Sequence, residues 1–142
     1  MRDLQGLNEV LGGQLMVQQK LLSLEEEKTG LLLNGDAQAL LPMLNDQQAL
    51  LMQSRELEKQ RGALCQGSEH GTLRELMEAD AEAKALLQPV FNELSAAVAA
   101  LKKKSAQNKK LLETRLSTIR HLMGRTGQEA GATYTKSAST KG

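Results

Sequence analysis

Leucines spaced three and four residues apart run through most of the chain and predict long amphipathic helices. Each helix should bury one apolar face against its neighbours. The first predicted helix covers residues 3–33, with Leu4, Leu7, Leu11, Leu15 and Leu22 on its apolar face and Gln18 filling a gap. The second reaches residue 66, with one line formed by Leu40, Leu44 and Leu51 and another by Leu50, Leu57 and Leu64.

Glycines and capping residues predict where these helices end. Asn34-Gly35-Asp36 supplies a stop and a start, because Gly35 can adopt a positive φ and Asp36 can cap the next helix. Gly67 and Gly71 mark the second break, and Thr72 with Glu75 then forms a T-x-x-E capping box.

Two features inside the first two helices leave alternatives open: Pro42, and the glycine pair Gly12 and Gly13. Pro42 either kinks the second helix after one turn or marks its start, and we favour the kinked start. Gly12 and Gly13 indicate a bend in the first helix or a close neighbour. The run Glu25-Glu26-Glu27-Lys28 is interpreted as a solvated helix face.

A third apolar stripe starts at Leu73 and keeps its phase past Pro89 to Leu101, interrupted only by Asp80. Unbroken phase favours one helix over residues 72–123, but such a helix would extend about 78 Å at about 1.5 Å per residue. We therefore expect a bend or break near Pro89, or a protruding helix end. The helix should end at Met123, with Gly124 at its C′ position.

Composition supports the all-α class. Phe91 and Tyr134 are the only aromatic residues, so a core must consist of Leu, Ala, Val and Met, which suit helices. We expect an antiparallel bundle of three to four long helical segments in one domain, residues 1–123. Residues 124–142 are rich in Gly, Thr, Ser and Ala and predict a flexible, disordered tail.

Charge is unevenly distributed, although the net charge is only +1. Residues 25–93 carry thirteen acidic and six basic side chains, whereas residues 101–123 carry seven basic side chains and one acidic, Glu113. This polarity could steer an acidic partner to the late helix, although solvation of a helix face is the commoner role of such residues. The single cysteine, Cys65, suits a reducing compartment, and no signal peptide or membrane insertion is predicted, so we expect a cytoplasmic protein.

No residue pattern predicts catalysis, a metal site or a cofactor. Cys65, Glu69 and His70 cluster at a loop, but structural zinc needs four ligands and nothing completes the set. The chain has no nucleophile motif and no phosphate-binding loop. Lys102 to Lys110 is basic but lacks the aromatics that stack on bases. We therefore expect a binding protein that is not an enzyme and does not bind nucleic acid.

The segment 108–123 is the best candidate for a partner-binding surface. An apolar stripe that its own bundle does not use can hold a partner helix, and this stretch follows a polar interruption at Ser105 and Asn108. That these leucines merely close the bundle is equally compatible with the sequence, and both can hold. The candidate residues are Leu111, Leu112, Leu116, Ile119, Leu122 and Met123.

A series of short elements joins the first predicted helix to the second, within residues 21–61. They are Leu24-Glu25-Glu26-Glu27-Lys28, Leu32 with Gly35-Asp36, Gln47 with Leu50-Leu51, and Leu57-Glu58 with Arg61. Together with Asn108-Lys109-Lys110-Leu111-Leu112 and a Tyr-bearing tail, this order resembles the FlgN family of bacterial flagellar export chaperones. Pro42 and Pro89 depart from the family pattern.

This resemblance implies a cytoplasmic chaperone of flagellar type III export. Such proteins bind the hook-associated proteins FlgK and FlgL through their C-terminal helices and present them to the export gate protein FlhA and the export ATPase. Family substrate binding lies in the C-terminal region, which here carries the six candidate residues of segment 108–123. A tail tyrosine that contributes to gate contact is matched here by Tyr134 alone. The alternative is a structural helical-bundle or coiled-coil protein that self-assembles through its leucine stripes.

Overall fold

A computed structural model describes residues 3–66 and 72–131 of the chain, with the side chains of residues 3–65 and 72–124. Over these residues it has four helices: α1 (Leu4–Asn34), α2 (Ala37–Gln66), α3 (Leu73–Ala79) and α4 (Ala81–Gly131). The described residues contain no strand, so the predicted all-α class is confirmed. By its internal contacts the chain divides into two compact units, Met1–Ala106 and Gln107–Gly142.

Helix α4 continues past Gly124, where the sequence predicted its end, and is helical to Gly131. One glycine in a helix interior costs only about 1 kcal/mol relative to alanine, so it does not by itself stop a helix. The boundary between bundle and tail that we placed after Met123 stays a prediction. Residues 132–142 lie outside the described part of the chain.

The turn between α1 and α2 follows the local signals in the sequence. Gly35 has a φ of 69°, in the left-handed region, and its amide donates to the carbonyls at the end of α1. The amide of Asp36 donates to the Leu31 carbonyl at 3.0 Å, which completes a Schellman motif. Asp36 then caps α2, because its Oδ1 accepts from the Ala39 amide at 3.1 Å. Helix α2 starts at Ala37 with Pro42 inside it, so the proline does not mark its start.

Helices α1 and α2 pair antiparallel. The Gln14 amide contacts Glu58, and the Glu25 carboxylate contacts Gln47, so the sequence runs in opposite directions along the interface. Of the two adjacent glycines in α1, Gly13 lies against α2. A Cβ atom there would come within 3.3 Å of Leu57, which explains the glycine as the site of a close neighbour.

Asp80 separates α3 from α4. Its backbone is extended, and its amide donates to the Leu76 carbonyl at 3.1 Å, closing α3. Its Oδ1 accepts from the amides of Glu82 at 2.9 Å and Ala83 at 3.3 Å, so the same residue caps α4. The chain therefore breaks at Asp80 and not near Pro89, which lies inside α4. Residues 72–123 form parts of two helices instead of one.

One apolar cluster joins the ends of α1 and α2 to α3 and the start of α4. Thr72 caps α3 by accepting from the Glu75 amide at 3.2 Å, as the capping box predicted, and so sets α3 against this cluster. Every helix contributes to the cluster, and the short α3 is anchored in it by Leu73, Leu76 and Met77. Its buried members are Leu7, Leu11, Cys65, Leu73, Leu76, Met77, Ala83 and Leu87.

The buried face of α1 departs from the predicted line after Leu11. Gln14 is buried where the predicted line had Leu15, and Leu21, which the sequence placed beside that line, is buried while Leu22 is half-buried. From Leu7 to Glu25 the buried positions are three or four residues apart, as expected for one buried helix face. The complete set is Leu7, Leu11, Gln14, Val17, Leu21, Glu25 and Leu32.

Glu25 is a buried acid in the interface between α1 and α2. It is 2% exposed, and its Oε1 accepts from Lys28 Nζ at 2.9 Å and from Gln47 Nε2 at 2.7 Å. Lys28 Nζ also donates to Gln47 Oε1 at 3.0 Å. The interpretation of this run as a solvated face is therefore wrong for Glu25, while Glu26 and Glu27 are exposed as predicted.

A second polar contact lies nearer the other end of the same interface. Glu58 accepts from both Arg61 and Gln14, and Gln14 Nε2 lies 2.8 Å from Glu58 Oε2. The hydrogen bond from Arg61 is the largest cause that lowers the pKa of Glu58 below its ordinary 4.5. Partial burial opposes it, and the Gln14 hydrogen bond and the Arg61 charge lower the pKa further.

We expect opposite effects from alanine at two glycines near the end of α1. Gly35→Ala should cost about 1 kcal/mol of unfolding free energy, because a Cβ disfavours the positive φ. Gly30→Ala should add up to about 1 kcal/mol, because Gly30 lies inside the helix with open space around a new Cβ. Urea denaturation followed by circular dichroism measures both. Equal effects of the two substitutions would contradict this account of the turn.

Glu58→Gln should destabilise the protein only while the wild-type carboxylate is charged. Since the folded-state pKa is lowered, the ion pair stabilises above the unfolded pKa, and this contribution is lost as pH falls below about 4.5. The side chain is 57% exposed, so the deficit near neutral pH should stay below about 1 kcal/mol. Urea midpoints near neutral and acidic pH test this, with Glu56→Gln on the exposed side of α2 as the control. A deficit that persists in acid would exclude the charge as its cause.

Candidate partner-binding surface

An apolar stripe is exposed on the part of α4 that belongs to the second unit. Leu112, Leu116, Ile119 and Met123 are spaced four, three and four residues apart, so they lie on one helix face. Their exposed fractions are 43%, 39%, 50% and 68%. We call these four residues the exposed stripe. Four large apolar side chains in one line offer the anchor spacing that a second amphipathic helix can use.

The remaining predicted site residues lie beside this stripe or outside the described residues. Leu111 is half-buried and Leu122 is 54% exposed, and both fall on one edge of the stripe with Arg115 between them. Tyr134 lies outside the described part of the chain. The structure thus places four of the candidates on one face and two at its border.

The opposite face of this segment is polar, and its hydroxyl groups bond within the helix. Thr114 Oγ1 donates to the Lys110 carbonyl at 2.9 Å, and Thr118 Oγ1 donates to the Thr114 carbonyl at 3.0 Å. These threonines therefore need no partner to satisfy their hydroxyl hydrogens. The stripe is therefore the apolar side of the segment, and the opposite side is polar.

Asn108 begins this segment and is buried, at 3% exposed. The sequence suggested only that Ser105 and Asn108 interrupt the apolar line, and Ser105 is exposed as a solvent-facing polar residue would be. No signal in the sequence distinguishes the two, because burial of an asparagine depends on the hydrogen-bond partners that tertiary structure supplies.

Helix α2 carries a second exposed apolar surface that sequence reasoning missed. Leu41 and Met52 are 66% and 61% exposed, and Leu44 and Leu51 are exposed as well. The sequence placed Leu44 and Leu51 on an apolar line and so predicted their burial. These residues belong to the first unit, so substitutions at them are suitable controls for substitutions in the exposed stripe.

The groove bordered by Gln14, Glu58, Arg61 and Phe91 in the first unit contains one unsatisfied polar atom. Gln14 Oε1 is buried and accepts no hydrogen bond, although Gln14 Nε2 donates to Glu58. Orphaned acceptors of this kind are uncommon in folded proteins. Any group that satisfied this oxygen would have to donate a hydrogen bond to it.

Neither a metal site nor a membrane-spanning helix is found in the described residues. Across residues 3–66 and 72–131, no three His, Cys, Asp or Glu side chains are grouped so as to hold a metal ion. Glu69 and His70, which the sequence placed near Cys65, lie outside this part of the chain. In the same residues, no helix has both the length and the apolar character needed to cross a bilayer.

The whole chain, residues 1–142, matches the family model described as FlgN protein. The chain belongs to the FlgN family. It is thus a flagellar export chaperone in the general sense of a family made up of chaperones and not of enzymes. No curated protein and no solved structure matches it significantly. The family resemblance seen in the sequence is therefore confirmed by a match that also covers both prolines at which the chain departs from the pattern.

Polar substitutions in the exposed stripe should leave folding almost unchanged. Leu116→Gln with Ile119→Gln should alter the unfolding free energy by less than about 1 kcal/mol, because both side chains lie at the surface, 39% and 50% exposed. Leu87→Ala is the contrasting control: its side chain is fully buried in the cluster, and we expect a loss of about 2–5 kcal/mol. Urea denaturation compares the two variants. A loss in the stripe variant that equals the Leu87 loss would mean that these side chains close the bundle.

Proposed function

We propose that this chaperone works in the cytoplasm and binds the C-terminal helices of the hook-associated proteins FlgK and FlgL along the exposed stripe. The observation that carries the proposal is the exposure of Leu112, Leu116, Ile119 and Met123 on one helix face. An apolar face of this kind is covered by a helix whose own apolar residues repeat at three and four positions. Export chaperones need such a surface, because amphipathic substrate helices associate prematurely unless they are covered.

The energetics of the stripe favour a complex that can be released. Full burial of a leucine or isoleucine contributes about 1.5–3 kcal/mol. Leu112, Leu116 and Ile119 are already about half-buried and Met123 is 68% exposed, so a partner adds about 1 kcal/mol at each position. Association costs several kcal/mol in lost translational and rotational freedom. The net affinity is therefore modest unless contacts at the edges add to it, which suits a protein that must hand its substrate on.

Delivery to the export gate protein FlhA and the export ATPase forms the second half of the proposal. Family membership supports a role in export, and the Tyr134 side chain is our candidate for the gate contact. Tyr134 lies outside the described residues, eleven positions after Met123 in the sequence. The gate contact is thus assigned to a residue that is not part of the stripe.

Leu116→Gln with Ile119→Gln should weaken binding of FlgK and FlgL by at least about tenfold, since each position loses about 1 kcal/mol of apolar contact. Isothermal titration of the full-length chain with each hook-associated protein, intact and lacking its C-terminal helix, measures the change. Leu41→Gln with Leu44→Gln is the matched control, because it makes the same chemical change at exposed leucines of α2.

Three results would count against the proposal. Equal weakening by the control pair would mean that the partner does not bind specifically at the exposed stripe. Binding that survives removal of the C-terminal helices would show that these helices are not the ligand. If the wild-type chain binds neither protein and instead forms oligomers that the stripe substitutions dissolve, the chain is a self-assembling bundle.

A further inference from the structure

Basic side chains border the exposed stripe. Lys109 lies three residues before Leu112, and Arg120 lies four residues after Leu116, so both adjoin the stripe on the same edge. Both side chains are exposed to solvent. Between them on this edge stands Glu113, the one acidic residue of segment 101–123. Two positive charges and one negative charge leave this edge with a net positive charge.

The face opposite the stripe carries a comparable pair of charges that is remote from any partner on the stripe. Lys110 lies about one helical turn before Glu113 and Thr114. Lys103 lies seven residues, or about two turns, before Lys110, so these two lysines share one face. Both are exposed. The two pairs of bases therefore have the same charge and exposure and differ in which face of α4 they occupy.

We infer that the exposed stripe selects an amphipathic helix with acidic side chains along one edge of its apolar face. This inference rests on the proposed function, because it specifies the chemistry of the partner at the same surface. A partner helix lying on the stripe brings its own edge residues close to Lys109 and Arg120. Carboxylates there gain favourable contacts, whereas lysines or arginines there meet like charges in a partly desolvated contact.

The spacing of the two bases specifies the spacing of the acids. Lys109 and Arg120 are separated by about three helical turns, or about 16 Å at about 1.5 Å per residue. A straight partner helix meets both when two of its own carboxylates are about three turns apart on one edge. A lone acid meets only one of them, and of two acids on opposite edges one meets this pair while the other lies on the side of the half-buried Arg115.

The same charges argue against a second copy of this chain as the occupant of the stripe. If two copies paired antiparallel, stripe to stripe, Lys109 and Arg120 of one would face the basic edge of the other, with only Glu113 on each side to offset them. Like charges across an interface oppose association. The edge that favours an acidic partner thus disfavours symmetric pairing through the same face.

The inference can be tested by reversing charge on one face at a time. Full-length chains carrying Lys109→Glu with Arg120→Glu, or Lys103→Glu with Lys110→Glu, undergo the same change in net charge on opposite faces of α4. Each is titrated with FlgK and FlgL, in low salt and near 1 M salt, after circular dichroism shows that the variants are folded. We expect the Lys109 and Arg120 pair to weaken binding about tenfold in low salt, and the control pair to weaken it about twofold or less.

Salt separates a contact effect from a fold effect. Near 1 M salt the screening length is about 3 Å, so the difference between the two variants should shrink to about twofold. Equal weakening by both pairs would show that only overall charge matters and would overturn the inference while leaving the proposed function intact. The inference would also be overturned, with the proposed function left intact, if neither pair of substitutions changed the affinity for FlgK and FlgL.

A designed peptide keeps the test independent of the natural partner. The probe is an amphipathic helix with a leucine stripe and two glutamates about three turns apart on one edge, and its counterpart has lysines at those two positions. We expect the glutamate peptide to bind at least about tenfold more tightly than the lysine peptide, and Lys109→Glu with Arg120→Glu to reverse the preference. Equal binding of the two peptides, or binding of neither, would overturn the inference. If the chain binds the glutamate peptide but binds neither FlgK nor FlgL, the proposed function is wrong.

Discussion

The carboxylate of Glu25 lies between α1 and α2 with almost no access to water, and it is held by Lys28 and Gln47 together. Lys28 lies on α1 with Glu25, so the contact across the interface is made by Gln47, which hydrogen-bonds to both side chains. Sliding α2 by one turn would take Gln47 away, and a buried group that loses its hydrogen-bond partner costs about 1–3 kcal/mol. The Gln47 hydrogen bonds therefore oppose other registers of α1 against α2, because contacts between leucines lack this directionality. The remaining elements of the first unit are built on this pairing.

Short-range bonds then define how the chain enters and leaves each helix. Gly35 and Asp36 end α1 and start α2, and Asp80 closes α3 while capping α4. Each of these bonds joins residues no more than five positions apart, so the turns form without help from distant parts of the chain. The apolar cluster around Leu76 and Leu87 then holds the ends together. The register of α1 against α2 thus depends on the buried polar contact at Glu25, and the points where the helices begin and end depend on the caps.

This division explains which parts of the fold could be predicted from the sequence. The caps at Gly35, Asp36 and Thr72 were predictable, because each depends on a residue type and its immediate neighbours. Asp80 was noticed only as a polar gap in an apolar line, although an aspartate before Ala81 and Glu82 also suits an N-cap. Pro89 is the stronger helix breaker by residue type, so the sequence predicted the break there and not at Asp80.

Burial was harder to predict, because it depends on where neighbouring helices lie. The buried face of α1 includes Glu25, which the sequence analysis interpreted as solvated, and Gln14, which it did not consider, while Leu15 is only half-buried. The candidate residues of segment 108–123 were found from spacing alone. Their exposure had to come from the structure, since identical spacing is found in a buried stripe. The bordering charges of Lys109 and Arg120 were visible in the sequence, but their relation to one face required the helix to be continuous there.

The residues that hold the first unit together and the residues of the exposed stripe are separate sets. The apolar cluster draws on residues 7 to 87, whereas the stripe draws on residues 112 to 123. If the stripe is the partner surface, as proposed, a substitution there changes partner choice without first passing through a poorly folded intermediate. Partner specificity can then evolve in small steps as the partners diverge, because each step changes affinity and leaves the fold of the first unit intact.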